Sequence, residues 1–167
     1  VTGGKKAGKE SFTDRLTKLE IIGVYSPIGH EMQMPFSMVL SSVLAKQRRI
    51  LYINLMQNTG FLQLFDSQAE YDIGDLTLRL RRGTTESEQF FQSIYEMGDF
   101  SYVAPFRNPE QLGEFQMDDY RKLLAHLEEN TKFDTVVFDF GTGIPSIAAF
   151  LEECSSIYCP VKEGYFY

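Results

Sequence analysis

The stretch over residues 21–55 constrains the fold of this chain more than any other. It reads IIGVYSPIGHEMQMPFSMVLSSVLAKQRRILYINL, in which two apolar runs flank a turn and a segment with helical periodicity. Continuous apolar runs of this length are typical of strands that are covered on both faces, as in a parallel sheet. A helix is the usual crossover between two such strands. The sequence therefore predicts a βαβ unit with strands over Glu20–Tyr25 and Ile50–Leu55.

The helix between these strands carries an apolar repeat that predicts one stripe facing the sheet. The residues with this spacing are Phe36, Val39, Leu40, Val43 and Leu44. We expect Pro35 at the first helical position, where its missing N–H has no cost.

Further strands and helices alternate along the rest of the chain. Apolar, β-branched runs predict strands at Phe100–Val103, Thr135–Phe140 and residues 156–161. Helical patterns cover residues 75–82, 87–95, 117–129 and 144–151. This alternation predicts a three-layer α/β fold with a mainly parallel sheet flanked by helices.

Composition and charge limit the classes of function. The 167 residues carry a net charge of −7, and an acidic body repels phosphate backbones, so nucleic acid is not expected as a partner. No apolar run approaches the roughly 20 residues of a membrane-spanning helix, and the N-terminus has no signal-peptide pattern. Cys154 and Cys159 fit a reducing cytoplasm and lack the companion ligands of a metal site. We expect a cytoplasmic protein without a bound metal.

Residues 1–19 differ from the rest, since they are rich in Gly and Lys and have little apolar periodicity. We interpret them as a linker or flexible arm that follows an upstream domain. Residues 3–9 match the start of the phosphate-binding pattern G-x-x-x-x-G-K-[ST], but Glu10 replaces the required hydroxyl and no strand precedes the match. Residues 20–167 form the α/β domain, which we expect to be incomplete at its C-terminal end.

The chain resembles the MinD/ParA family of P-loop ATPases, including the CpaE-like bacterial proteins linked to pilus assembly. The resemblance lies in a strand that ends in Ser26-Pro27, a loop, a helix that ends in Ala45-Lys46-Gln47, and the strand Ile50–Leu55. Residues 133–139 (FDTVVFD) resemble the family's YDYVIID segment, whose last residue is a Walker B-type aspartate. Residues 156–161 (SIYCPV) resemble a later strand that ends in Pro-Val. The resemblance covers residues 20–161 and implies the P-loop NTPase fold.

The departures from the family pattern fall on the nucleotide-binding loop. The family's deviant Walker A motif, K-G-G-x-G-K-[ST]-[ST], coincides in this sequence with Ile28, Gly29, His30, Glu31, Met32, Gln33, Met34 and Pro35. Only Gly29 matches. Side chains replace glycines where the backbone must approach phosphate closely. Gln33 replaces the lysine that neutralises phosphate charge, and Met34 replaces the hydroxyl that ligates magnesium.

The positions at which the family has acidic residues also differ in this sequence. Asn54 and Met56 stand where the family tends to place aspartates, which leaves Asp139 as the residual Walker B-type acid. The alternative for Asp139 is an acid that caps the turn at Gly141. The apolar residues around the loop (Met32, Met34, Phe36 and Met38) either fill the former nucleotide pocket, form a contact surface or pack in the core.

With these losses, the resemblance implies a pseudo-ATPase that acts as a regulatory or protein-interaction module. It would serve in subcellular positioning or in the assembly of a pilus or secretion apparatus. The expected partners are proteins, a homodimer among them, with peripheral contact at the inner face of the membrane. No cofactor is expected. The alternative is an active ATPase in which backbone amides and Asp139 hold Mg-ATP.

Arg79, Arg81 and Arg82 form the densest basic cluster, on a predicted short helix. They are a candidate surface for acidic partners, lipid head groups or DNA, and DNA binding by a partition-type protein is a third hypothesis. The plain alternative is a solvated helix face.

Overall fold

The computed structural model describes residues 18–29, 31–57, 60–61, 69–83, 87–130 and 132–161. Its framework is a six-stranded sheet in the order β3-β4-β2-β5-β1-β6. The strands are β1 (Glu20–Tyr25), β2 (Ile50–Leu55), β3 (Ile94–Met97), β4 (Phe100–Val103), β5 (Thr135–Phe140) and β6 (Ser156–Tyr158). Neighbouring strands pair in parallel, except for the antiparallel pair β3–β4. The predicted mainly parallel sheet is confirmed.

Helices cover both faces of this sheet. They are α1 (Gln33–Ala45), α2 (Ile73–Arg82), α3 (Ser87–Phe91), α4 (Met117–Asn130) and α5 (Ile147–Glu152), with a 3₁₀ helix at Pro109–Glu114. Met34 of α1 packs with Val24, Tyr52 and Val137 on one face. The other face packs against α2, α4 and α5 through Leu76, Leu123 and Phe150. Since side chains alternate between the faces, β2 and β5 are buried along their whole length. The three-layer architecture is therefore confirmed.

The predicted helix over residues 87–95 is wrong in its second half. Helix α3 ends at Phe91, and the chain continues as the edge strand β3. A turn through Gly98 and Asp99 then joins β3 to β4, and Gly98 has the positive φ of 58° that such a tight connection favours. The strand pairing of this hairpin overrides the helical propensity of the sequence.

The predicted orientation of α1 is also wrong. Val39 and Val43 are 63% and 56% exposed, and Phe36 is 39% exposed. The buried face instead contains Gln33, Met34, Ser37 and Ser41, with Leu40 and Leu44 partly buried beside it. The helix is rotated away from the arrangement that its apolar residues alone would favour, and a polar contact of Gln33 accounts for the rotation.

No helix in the described part of the chain is long and apolar enough to cross a lipid bilayer.

Two substitutions test this packing. Leu51 is fully buried in β2, so Leu51→Ala should lower the free energy of unfolding by about 2–5 kcal/mol through lost burial and a cavity. The matched change Val39→Ala should stay within about 0.5 kcal/mol, because the side chain is mostly in solvent. Urea denaturation followed by circular dichroism measures both. Comparable losses would place Val39 against the sheet and contradict the orientation of α1.

Candidate functional site

The site lies where β1, β5 and β2 end side by side. In the strand register, Val24 of β1 and Asn54 of β2 both pair with Asp139 of β5. This carboxyl edge of a parallel sheet is where α/β proteins place their ligands. The loop that follows β1 leads directly into α1, so the sequence-predicted residues of the loop and Asp139 come together here.

The side chain of Gln33, the first residue of α1, is inserted into this edge. Its Oε1 accepts a hydrogen bond from the Ser26 amide at 2.9 Å. Its Nε2 lies 2.6 Å from Asp139 Oδ1, 2.9 Å from the Phe140 carbonyl and 3.3 Å from the Val24 carbonyl. An amide nitrogen has two hydrogens, so these three acceptors saturate it. Gln33 is 1% exposed and ties the start of α1 to β1 and β5.

Asp139 continues this network toward β2. It is fully buried, and its second oxygen, Oδ2, accepts a hydrogen bond from the Tyr52 hydroxyl at 2.9 Å. The Asn54 amide donates to the same hydroxyl at 3.0 Å, and Asn54 Oδ1 accepts from the Met56 amide at 3.0 Å. Both carboxyl oxygens of Asp139 are therefore engaged by side chains of the protein.

Burial perturbs the acid–base properties of this network. Desolvation raises the pKa of Asp139 to about 6, although hydrogen bonds from Gln33 and Tyr52 favour the charged form. Desolvation, together with the nearby Asp139 charge, also raises the pKa of Tyr52 well above its ordinary value. Tyr52 therefore stays protonated and remains a hydrogen-bond donor to Asp139.

Small residues let α1 approach the sheet closely enough for Gln33 to reach Asp139. Ser37 and Ser41 lie one and two turns after Gln33 and are fully buried. Their hydroxyls donate to the carbonyls of Gln33 and Ser37, at 2.9 and 2.8 Å. This satisfies both hydroxyls without requiring a partner on the sheet.

The loop itself is a closed turn. The Gly29 amide donates to the Ser26 carbonyl at 3.0 Å, and Gly29 has a φ of 63°. Ile28 and Met32 are 65% and 55% exposed, and Glu31 is exposed as well. Met32 therefore does not fill the pocket, and His30 lies outside the described residues.

The start of α1 differs from the prediction in one further respect. Pro35 is the third residue of the helix rather than the first. One backbone N–H at the helix N-terminus is therefore missing, and the first turn contains no acidic residue. Met34, where the family motif has a hydroxyl, is 8% exposed and packs in the core.

These residues do not fit a magnesium–nucleotide complex as they are arranged. Magnesium binds carboxylate, phosphate and water oxygens in octahedral geometry, yet Asp139 directs both oxygens at Gln33 and Tyr52. Gln33 is a neutral amide whose donors face two carbonyls and the Asp139 carboxylate. Within the described ranges, no group of three or more His, Cys, Asp or Glu side chains is placed to hold a metal ion.

The arginine cluster is largely engaged in contacts within the protein. The guanidinium group of Arg81 donates to both carboxyl oxygens of the buried Asp119, each at 2.7 Å. The guanidinium carbon of Arg79 lies 4.1 Å from the centre of the Tyr71 ring. Arg82 is exposed. The three residues share one helix, α2, but two of them hold that helix in place. Their role as an interaction surface stays a prediction.

Sequence reasoning did not identify Tyr52 as part of the site. The available signal was its place in β2, two residues before Asn54, because alternate residues of a strand point to the same face. Polar groups at both positions of an otherwise apolar strand indicate a shared buried partner. That partner, Asp139, lies 87 residues away along the chain from Tyr52.

No family model and no curated protein matches this sequence. Solved structures do match its fold. A ParA family ATPase from Chlorobium tepidum TLS superposes with a TM-score of 0.68 at 13% identity, over 86% of this chain and 60% of that one. A variant of McdA from Cyanothece, in complex with ATP, superposes with a TM-score of 0.63 at 14% identity, over 87% of this chain and 57% of that one. The kinase domain of the Escherichia coli tyrosine kinase ETK superposes with a TM-score of 0.64 at 18% identity, over 89% of this chain and 57% of that one.

This chain has the MinD/ParA-like fold of the P-loop ATPases. It spans less than two thirds of the length of each of these three solved chains.

The Gln33 network should contribute measurably to stability. Gln33→Ala would remove the side chain that pairs with the Ser26 amide and with Asp139, and each buried group that loses its partner costs about 1–3 kcal/mol. We expect the free energy of unfolding to fall by at least that amount in chemical denaturation. The control Gln47→Ala changes an exposed residue just after the same helix and should have little effect. Equal effects of the two substitutions would contradict the bridging role of Gln33.

The raised pKa of Asp139 predicts a dependence of stability on pH. The folded state holds this proton more tightly than the unfolded state, so the contribution of Asp139 is greatest at low pH. It is lost as pH rises from about 4 through about 6. In Asp139→Asn this titration is absent. The difference in unfolding free energy between the wild type and Asp139→Asn should change by roughly 3 kcal/mol over this window. Parallel pH curves in denaturant titrations would rule out the shift.

Proposed function

We propose that this protein is a pseudo-ATPase of MinD/ParA-like fold that works as a regulatory or protein-interaction module. The proposal includes a cytoplasmic location with peripheral contact at the inner face of the membrane. A role in subcellular positioning, or in the assembly of a pilus or secretion apparatus, follows from the resemblance to CpaE-like proteins. Because a fold hosts many functions, the likeness to solved structures does not assign a function, and the support for this proposal comes from the residues of the site.

The observation that carries the proposal is the position of the Gln33 side chain. It makes hydrogen bonds to the Ser26 amide at the start of the loop and to the carboxylate of Asp139. A phosphate group entering the loop would have to break these bonds and leave buried polar groups unpaired. The cost of each unpaired group is about 1–3 kcal/mol, and a neutral glutamine offers little charge compensation for a polyphosphate.

The charges around the loop support the same conclusion. Glu31 adds a negative charge beside the place where an anion would enter. The chain as a whole is acidic, with a net charge of −7. Together with Pro35, which lacks an N–H, these features weaken the helix N-terminus as an anion site.

Ligand binding tests the proposal directly. A ligand at about 100 times its dissociation constant stabilises a protein by about 2.7 kcal/mol, which would raise the melting temperature of a domain of this size by several degrees. We expect millimolar Mg-ATP to give no shift in differential scanning fluorimetry and no release of phosphate. ATP with excess EDTA is the control for effects that do not depend on magnesium.

The alternative, an active ATPase, predicts the opposite result. ATP should then cause a saturable rise in melting temperature that depends on magnesium and is lost in Asp139→Asn. That result, together with phosphate release by the wild type, would refute the pseudo-ATPase. Since Asp139 is buried, the shift produced by ligand should be compared for each variant against its own ligand-free melting temperature.

A further inference from the structure

A cleft of about 350 Å³ lies between α2 and the 3₁₀ helix Pro109–Glu114. Phe106 and Arg107, which follow β4 along the chain, line it as well. The order of the strands places β4 two strands from β5, and no residue of the Gln33 network lines the cleft. A cavity of this size is within the range that holds small ligands. The cleft is therefore a place, apart from the nucleotide loop, at which the fold can take up a ligand.

The two walls of the cleft are tied to each other by hydrogen bonds at both ends. At one end, the carboxylate of Asp72, which caps α2, accepts a hydrogen bond from the Arg107 amide at 3.0 Å. At the other end, the guanidinium group of Arg81 donates to the Glu114 carbonyl at 2.9 Å. These contacts fix the position of α2 against the 3₁₀ helix. The cleft is therefore preformed, and a ligand does not have to open it.

Charges of both signs line the cleft. The carboxylates are those of Asp75 and Glu114, and the guanidinium groups are those of Arg81 and Arg107. The two arginine side chains are 41% and 52% exposed, and Glu114 is exposed as well. A ligand with one charge would meet like charges in this cleft as well as opposite ones, which is unfavourable. The lining therefore favours a ligand that carries both charges.

The two arginines are held in position and still have donors for a ligand. Within the described residues, Arg81 uses Nε and Nη2 to bind Asp119 and the Glu114 carbonyl. Arg107 uses Nη2 to bind two backbone carbonyls. A guanidinium group has five N–H donors, so Nη1 of each arginine can donate to a further acceptor. A carboxylate is an acceptor that such donors match.

Three apolar side chains complete the lining of the cleft. Leu78 of α2 is 46% exposed. The ring centres of Phe106 and Phe115 lie 6.1 Å apart, and Phe115 is 1% exposed and belongs to the core. A hydrocarbon group in the cleft would gain burial against these side chains. The ligand should therefore have an apolar part as well as its two charges.

We propose that this cleft binds a zwitterionic ligand, an α-amino acid with an apolar side chain. Its carboxylate pairs with Arg81 and Arg107, and its ammonium group pairs with Asp75 and Glu114. Its side chain packs against the apolar residues of the lining. A molecule of this size makes few contacts, so we expect a dissociation constant of roughly 1 mM. The proposal does not depend on whether the protein is a pseudo-ATPase.

An NMR titration of the isotope-labelled, 167-residue chain with L-leucine tests the proposal. The backbone amides of Gly74 and Gln111 report on the cleft, because both residues line it. Their signals should shift in a saturable way. The signal of Gly23 in β1, which does not line the cleft, should stay in place.

Analogues of L-leucine test each part of the proposed contact. L-Leucinamide has the ammonium group but no carboxylate, and N-acetyl-L-leucine has the carboxylate but no ammonium group. Glycine has both charges and no apolar side chain. Each should bind at least about tenfold more weakly than L-leucine, because each lacks one of the three groups for which the cleft has a match.

A pair of variants tests the location. Glu114→Gln removes a carboxylate from the lining, and its side chain is exposed, so the fold should persist. It should weaken the binding of L-leucine by about fivefold or more, since the ammonium group loses a partner. Glu110→Gln is the matched control, because Glu110 is exposed on the same 3₁₀ helix but does not line the cleft. It should bind L-leucine as the wild type does.

Four results would overturn the proposal. The first is the absence of a saturable shift at Gly74 and Gln111 with L-leucine up to about 10 mM, ten times the expected dissociation constant. The second is equal binding of L-leucinamide, which would show a site for simple cations. The third is equal binding of N-acetyl-L-leucine, which would show a site for simple anions. The fourth is equal binding of L-leucine by Glu114→Gln and Glu110→Gln. None of these results involves ATP, so they leave the test of the pseudo-ATPase unchanged.

Discussion

The structure depends on one polar contact, the bridge that the Gln33 side chain makes between the loop after β1 and the carboxyl end of β5. The amide accepts from the Ser26 backbone and donates to Asp139 and the Phe140 carbonyl. Asp139 also accepts a hydrogen bond from the Tyr52 hydroxyl, which in turn accepts one from the Asn54 amide. Three neighbouring strands and the first helix are thus joined by groups that have almost no access to water. Because an unpaired buried polar group is costly, each member fixes the positions of the others.

A glutamine suits this position for a specific reason. It has the length to reach Asp139 from the start of α1, and it carries both a donor and an acceptor. A lysine would supply donors only and could not accept the hydrogen bond from the Ser26 amide. The neutral amide adds no positive charge beside Asp139, and burial raises the pKa of that carboxyl group in spite of the hydrogen bond from Gln33. The network is consistent with a site that supports the fold.

The fold could be predicted from sequence because its signals are local. The apolar runs of β1, β2 and β5 were predicted with their observed bounds, and the order of strands and helices led to the three-layer fold. The rotation of α1 could not be predicted from the spacing of its apolar residues. That spacing contains no information about the buried partner of Gln33, which is Asp139, 106 residues away along the chain. Strand β3 was missed for a related reason, since its pairing with β4 outweighs helical propensity. Tyr52 was missed because only the assembled sheet brings it to Asp139.

The site and the outer surface of α1 are connected through this same rotation. Once Gln33 points into the sheet, Ser37 and Ser41 follow it inward because they lie on the same side of the helix. Phe36, Val39 and Val43 lie on the opposite side and must face solvent. A helix placed by hydrophobic burial alone would turn these residues inward. The polar bridge thus stabilises an orientation in which these apolar side chains lie outside the core that the described residues form.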